Sequence, residues 1–160
     1  KFWCLQTLQE VLQRSWTTMD PADQLHIRSA LSHWLTHDCA AEQPVLPHFL
    51  KNKVIQIVIE MLRADYPTKW PTFFQDLIST LGGGVGMADV FARVLLALDE
   101  EVISLEIPRG PEELAVSMRI KDAMRGACVF KVVDAVRDVV AAHHASSPEV
   151  AGSVLEGFSR

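Results

Sequence analysis

Apolar residues recur at helical spacing along almost the whole chain, and this periodicity constrains the fold more than any other feature of the sequence. From His48 to Tyr66, for example, hydrophobic side chains lie three or four residues apart and polar residues occupy the positions between them. No segment alternates strictly between apolar and polar residues with hairpin turns at its ends, which is the pattern of a strand. The sequence therefore predicts an all-α fold.

Proline and glycine divide this periodic sequence into separate helices. Pro67 follows Tyr66, three glycines follow Leu81, and Pro108 to Pro111 form another break. Asp20 and Pro21 are suited to the cap and first residue of a helix. We expect helices over about 1–16, 20–38, 48–66, 70–81, 86–106, 112–144 and 148–160.

The predicted helices form pairs that recur about every 40–50 residues, over 1–38, 48–81 and 86–144, with 148–160 starting a further pair. This period is typical of HEAT repeats, in which antiparallel helix pairs stack into a right-handed superhelix, an α-solenoid. A compact helical bundle is the alternative, but apolar stripes on both helices of each pair favour the solenoid. Neither end carries a helix boundary signal, so we expect a fragment of a longer chain.

Composition excludes several classes of protein. Of 160 residues, 49% are hydrophobic, which is far from the composition of a disordered chain. The net charge of −5 argues against a protein whose main role is to coat duplex nucleic acid. Charged residues interrupt every apolar run before it reaches the length of a membrane span. The three cysteines, Cys4, Cys39 and Cys128, have no spacing typical of a disulfide framework or a zinc site.

No motif indicates an enzyme, a cofactor or a metal site. The segment from Gly82 to Gly86 follows a helix and lacks the lysine and hydroxyl residue of a phosphate-binding loop, so it is interpreted as a connecting loop. His33 and His37 lie four residues apart near Cys39, but no fourth ligand has matching spacing, and an exposed pair is expected. No nucleophile motif is present.

One string between Phe49 and Leu77 is specific enough to indicate a family. Its distinctive members are Asn52-Lys53, Tyr66-Pro67, Lys69-Trp70-Pro71, Phe73-Phe74 and Asp76. The string resembles the exportin signature of the importin-β (karyopherin-β) superfamily. Two later elements, Ile107-Pro108-Arg109 and the run from Arg119 to Arg125, resemble the exportin-t branch, the tRNA exportins.

The resemblance implies N-terminal HEAT repeats of a nuclear export receptor. Such receptors bind the GTP form of the GTPase Ran, contact nucleoporins of the nuclear pore and shuttle between nucleus and cytoplasm; in the exportin-t branch the cargo is tRNA. The GTPase performs the hydrolysis, so no enzyme activity, cofactor or membrane partner is expected of the receptor. A receptor for another RNA or protein cargo, or a HEAT-repeat scaffold for protein interactions, is the alternative.

The resemblance also implies that the inner helices, here about 20–38, 70–81 and 112–144, hold much of the contact with Ran. On the last of these, Arg119, Lys121, Asp122 and Arg125 are the candidate Ran-binding residues. Mixed charge suits a protein partner better than a phosphate backbone, because opposite charges fix the register and reject wrong partners. The alternative is a solvated helix face with weak local ion pairs.

Lys51, Asn52 and Lys53 are candidates for contact with RNA or another partner, since two cations close together attract an anion. The alternative is that the Asn-Lys pair caps and orients its helix, and this structural interpretation is favoured. Trp70 and Phe73-Phe74 are suited to base stacking, but aromatic residues at helical spacing are far more often core residues.

Overall fold

The computed structural model describes residues 1–43, 45–104 and 108–159. Within these ranges the chain forms eight α-helices and no strand, so the predicted all-α fold is confirmed. The helices are α1 (Phe2–Ser15), α2 (Pro21–Trp34), α3 (His48–Asp65), α4 (Phe73–Ser79), α5 (Val85–Leu98), α6 (Pro111–Ala127), α7 (Val129–His143) and α8 (Pro148–Ser159). The expected end of the fifth helix at Glu106, and Ile107 of the resemblance, lie outside the described residues.

The first pair, α1 and α2, is joined by a 3₁₀ turn at Trp16–Thr18. Asp20 caps α2, because its side chain accepts a hydrogen bond of 2.8 Å from the backbone N–H of Ala22, and Pro21 is the first helical residue, as predicted. A π-helical turn over Leu35–Cys39 extends α2 beyond Trp34.

The segment from Phe49 to Leu77, called the signature segment below, is linked to α2 and α4 through buried side chains. Asp65, at the end of α3, accepts a 2.8 Å hydrogen bond from Arg28 of α2, and the Arg28 guanidinium lies 5.8 Å from the centre of the Trp70 ring. Phe73 and Phe74 are almost fully buried at the start of α4. Their rings pack edge to face, which confirms that these aromatic residues belong to the core.

The glycine-rich segment is a connection, as the sequence indicates. A 3₁₀ turn over Leu81–Gly83 ends the α4 region, and Gly84 has a φ of +89° immediately before α5. A side chain is strained at this φ, so glycine allows the chain to turn sharply into the next helix. The five-residue π-helical turn Asp99–Ile103 then extends α5.

The single helix expected over 112–144 is instead two helices, because the chain departs from helical geometry at Cys128 (φ −143°, ψ −8°). Gly126 lowers the helix propensity just before this point. The break buries Cys128 and places its Sγ 3.9 Å from the Tyr66 hydroxyl. The break between α6 and α7 is thus accompanied by a buried contact with Tyr66 of the signature segment.

The helices form two layers. In the first, α1 contacts α3, α3 contacts α5, and α5 contacts α8. In the second, α4 contacts α7, while α6 packs on α3 and α7. Within the first layer, α3 and α5 therefore have a neighbour on either side, and these two helices contribute most of the fully buried residues. This is the arrangement of a HEAT-type helical solenoid.

Candidate partner-binding surface on α6

The start of α6 follows from residues 110–113. Pro111 occupies the first helical position, where its missing N–H costs no hydrogen bond. Glu112 and Glu113 lie in the first turn, where carboxylates interact favourably with the helix dipole. The Glu113 side chain accepts a 3.2 Å hydrogen bond from the backbone N–H of Gly110. These contacts fix where the helix begins and hence which residues face outward.

The buried side of α6 is narrow and its exposed side includes apolar residues. Ser117 and Ile120 are buried against the rest of the protein, whereas Leu114 and Met118 are 43% and 56% exposed. Both are apolar residues of the segment for which the sequence predicts one long helix, and helical periodicity alone does not show which apolar positions other helices cover. An exposed apolar pair flanked by charges is typical of a protein-binding surface.

The predicted Ran-binding residues lie on and beside this exposed side. Arg119 donates a 2.7 Å hydrogen bond to the backbone carbonyl of Arg63, which links α6 to the end of α3. Asp122 and Arg125 form an exposed ion pair of 3.1 Å, and Lys121 is half-buried beside them. An exposed pair of this kind contributes at most about 1 kcal/mol to stability. The charges of Asp122 and Arg125 are therefore accessible to a partner at little cost to the fold.

Lys51, Asn52 and Lys53 lie in the first half of α3, about 15–18 Å along the helix axis from Arg63. Lys51 is 5% exposed, and its Nζ is 3.0 Å from Asp89 Oδ2 of α5. Lys53 is 9% exposed, and its Nζ lies 5.8 Å from the centre of the Phe2 ring of α1. Both cations thus join α3 to its neighbours, which supports the structural reading of this pair.

Asn52 is exposed and belongs to a polar cluster centred on Arg93 of α5. Its Oδ1 accepts a 2.7 Å hydrogen bond from Arg93, which also donates to Asp89 Oδ1 at 2.9 Å and contacts His48 Nδ1 at 2.5 Å. Although burial opposes it, hydrogen bonding from Arg93 and Lys51 lowers the pKa of the Asp89 carboxyl. The cluster therefore holds α3 against α5 with Asp89 ionised.

The other predicted features have structural positions. The rings of His33 and His37 stack at 3.9 Å on an exposed surface, and Cys39 is fully buried. Among the described residues, no group of three or more His, Cys, Asp or Glu side chains is placed to hold a metal ion. None of the helices in the described part of the chain combines the length and apolar character needed to cross a membrane.

The stacked helices define the class of protein: a helical-repeat protein of the HEAT type. A sequence model described as "Exportin 1-like protein" matches residues 47–160. The chain therefore belongs to the exportin 1-like family.

Individual relatives extend this similarity over the whole chain. The protein named Exportin-T of Arabidopsis thaliana is 37% identical over 165 aligned residues, which cover 100% of this chain and 17% of the relative. Exportin-T of Dictyostelium discoideum is 34% identical over 92% of this chain and 13% of its own length, and Exportin-T of Homo sapiens is 29% identical over 98% and 16%. The chain thus spans about a sixth of these relatives' length. No solved structure matches it.

Proposed function

We propose that this chain is part of a nuclear export receptor, that it binds the GTP form of Ran, and that the receptor carries tRNA. The observation that carries the proposal is the 37% identity, across the whole chain, to a protein named Exportin-T. On this proposal the receptor shuttles between nucleus and cytoplasm and contacts nucleoporins in the pore. It binds without catalysing a reaction, since hydrolysis belongs to the GTPase.

The exposed side of α6 is the proposed Ran-binding surface. Leu114 and Met118 supply apolar contact area, and Arg119, Asp122 and Arg125 place charges of both signs around it. Lys121 lies half-buried at its edge. A protein partner with complementary charges fits such a surface better than RNA does, because a nucleic acid requires a consistent excess of positive charge.

In this proposal, Lys51 and Lys53 stabilise the fold and do not contact a partner. The Lys51 ammonium is buried against Asp89 and the Lys53 side chain packs beside the Phe2 ring, so an RNA contact through either residue would compete with the junctions between α3 and its neighbours. Asn52 is exposed and is the member of this group that a partner reaches without such a change. The tRNA contacts are therefore assigned mainly to other parts of the receptor.

A binding experiment tests the proposal. The full-length protein is immobilised and mixed with tRNA and with Ran loaded either with a non-hydrolysable GTP analogue or with GDP. We expect Ran and tRNA to be retained together only with the GTP analogue, because each ligand favours the conformation that binds the other. Equal retention of tRNA with Ran·GDP, or none in either state, contradicts the tRNA-exporting function.

A charge-reversing pair tests the surface itself. Arg119→Glu combined with Arg125→Glu is expected to weaken capture of Ran·GTP by about tenfold or more. The matched control, Lys1→Glu with Arg14→Glu, makes the same change in charge at exposed positions before and within α1, which is not one of the expected inner helices. If both double variants lose affinity equally, the effect reflects net charge and α6 is not the interface.

A scaffold for protein interactions is the second candidate function, favoured by the exposed Leu114 and Met118. A scaffold would bind a protein partner regardless of the nucleotide on Ran. The same retention experiment separates the two functions, since only the export receptor makes cargo binding depend on GTP.

A further inference from the structure

A groove separates the end of α1 from the start of α6, and the C-terminal half of α3 forms its floor. Its volume is about 390 Å³. Its wall and floor include Leu12, Trp16, Glu60, Met61, Glu112 and Val116. This volume is far too small for a folded domain but sufficient for one long side chain with a short length of peptide backbone.

The groove is acidic. Glu60, Glu112 and Glu113 line it, and Arg63 is the basic residue among its described lining. The Arg63 guanidinium is already engaged, at 3.6 Å from Glu113 and 3.7 Å from Glu101. The groove therefore repels an anion such as a phosphate and attracts a cation.

Glu60 lies in the C-terminal half of α3, so a helix dipole does not account for its position, as it does for the two glutamates at the start of α6. Its Oε1 accepts hydrogen bonds from Gln13 at 2.9 Å and from Gln9 of α1. Its Oε2 is shielded from solvent and has no hydrogen-bond partner among the described residues. Half of this carboxylate thus lacks the partner that a buried oxygen requires.

Trp16 provides a second, independent sign that the groove binds a ligand. Its side chain lines the groove and is 5% exposed, yet its indole N–H donates no hydrogen bond to any described residue. Buried indole N–H groups usually have an acceptor. The unpaired Trp16 indole N–H and the unpaired Glu60 Oε2 belong to residues that line one groove. A ligand that carries both a hydrogen-bond acceptor and a cation would satisfy both atoms.

We propose that this groove binds an extended peptide segment through a lysine or arginine side chain. The cationic head pairs with Glu60 Oε2 once a rotation of the Glu60 side chain turns this shielded oxygen towards the groove, and Glu112 at the rim adds to its attraction. The aliphatic stem packs against Leu12 and Met61, as long basic side chains commonly do on apolar surfaces. A peptide carbonyl accepts the Trp16 indole N–H after small rotations of the two lining side chains.

This site is separate from the proposed Ran-binding surface, because neither Arg119 nor Arg125 lines the groove. Loss of one interaction therefore leaves the other measurable.

Nuclear magnetic resonance of the ¹⁵N-labelled chain tests the proposal directly. The Trp16 indole N–H signal is assigned by its absence from the Trp16→Phe variant. The chain is then titrated at low ionic strength with a blocked Ala-Ala-Lys-Ala-Ala peptide. We expect a saturable shift of the Trp16 signal and none of the signal of Trp3, which is exposed at the other end of α1. The same peptide with uncharged norleucine in place of lysine is expected to cause no shift.

Two variants test the role of the carboxylates. Glu60→Gln keeps the side-chain shape but removes the charge, and is expected to weaken the lysine peptide by about tenfold. Glu149→Gln makes the same change at an exposed position on α8 and should leave the affinity unchanged. If Glu60→Gln disturbs the helical circular dichroism, Glu112→Gln replaces it, with a loss of about threefold. An unmoved Trp16 signal, equal binding of the norleucine peptide, or affinity unaffected by both groove variants overturns the proposal; the groove then holds only water.

Discussion

Gly86, near the start of α5, lies very close to the backbone of the segment after α2. A Cβ atom built at this position would lie 1.8 Å from the backbone carbonyl oxygen of Ala40. Backbone atoms cannot rotate away as a side chain does, so any larger residue forces α5 and the segment after α2 apart. The glycine here is required by packing and not by a special φ angle.

We expect Gly86→Ala to lower the free energy of unfolding by about 3 kcal/mol or more, because overpacking against backbone strains the junction. Urea denaturation followed by circular dichroism measures the change. Gly152→Ala is the matched control, since a Cβ at that helical position meets nothing within 4 Å. It should stabilise α8 by about 0.5–1 kcal/mol. Equal effects of the two substitutions would contradict the close approach.

The three cysteines differ in environment and should differ in reactivity. Burial raises the pKa of the Cys39 thiol to about 11, whereas Cys4 is exposed on α1. At pH 8 the thiolate fraction of Cys39 is therefore about one in a thousand. We expect iodoacetamide to modify Cys4 in the folded chain and to reach Cys39 only after unfolding. Mass spectrometry of tryptic peptides follows both sites, and equally fast labelling of Cys39 would show that its surroundings open readily.

At the level of helices, Asp89 makes the junction between α3 and α5 sensitive to acid. Two cations hold its carboxylate, and their hydrogen bonds keep its pKa below the ordinary value. A carboxyl whose pKa is lower in the folded state stabilises the fold fully above the unfolded pKa, about 3.9, and loses this contribution as the pH falls through the folded value.

Asp89→Asn should accordingly reduce stability at pH 7 by about 2–4 kcal/mol, because it leaves the buried Lys51 ammonium without an anionic partner. The difference from the unsubstituted chain should shrink as the pH falls from about 4 towards 3. Denaturant titrations across this range measure both effects. Asp138→Asn, at an exposed pair with Arg137, should cost less than about 1 kcal/mol. A deficit that persists unchanged at pH 3 would exclude the electrostatic explanation.

The sequence was informative where a local signal coincides with a helix boundary. Asp20 and Pro21 define the start of α2, and the glycines after Leu81 define the turn before α5, so both were predictable. The break at Cys128 was not, since Val129 and the residues after it continue the apolar spacing without a proline. Contact with Tyr66, 62 positions earlier in the chain, accompanies that break, and helical periodicity contains no information on such a contact.

The candidate site shows the same limit at the level of side chains. Charge and spacing identified Asp122 and Arg125 as neighbours, because residues three apart meet on a helix. Lys51 and Lys53 follow the same rule, yet they are buried against α5 and α1. Which face of α3 is covered depends on two other helices, and a helix enclosed on nearly all sides buries its charged residues as well.

For the whole molecule, the order of contacts decides how stability is distributed. The first layer runs from α1 through α3 and α5 to α8, and each of these helices contacts its immediate neighbours. In such an array, stability is approximately the sum of repeat terms and nearest-neighbour interface terms. A partner that bends one junction then acts on the next repeat through their shared interface. This transmission is the physical basis for coupling between distant ligands in the proposed receptor.

Nearest-neighbour stability predicts that damage at one end of the array remains local. Leu5→Ala, at a buried position of α1, should accelerate amide hydrogen exchange in α1 and in α3, which α1 contacts, and leave α8 unchanged. Val154→Ala, buried on α8, should accelerate exchange in α8 and α7 and leave α1 unchanged. Mass spectrometry of deuterated peptides measures both variants under native conditions. A single cooperative core would respond differently, because either substitution would then accelerate exchange in every helix by the same factor.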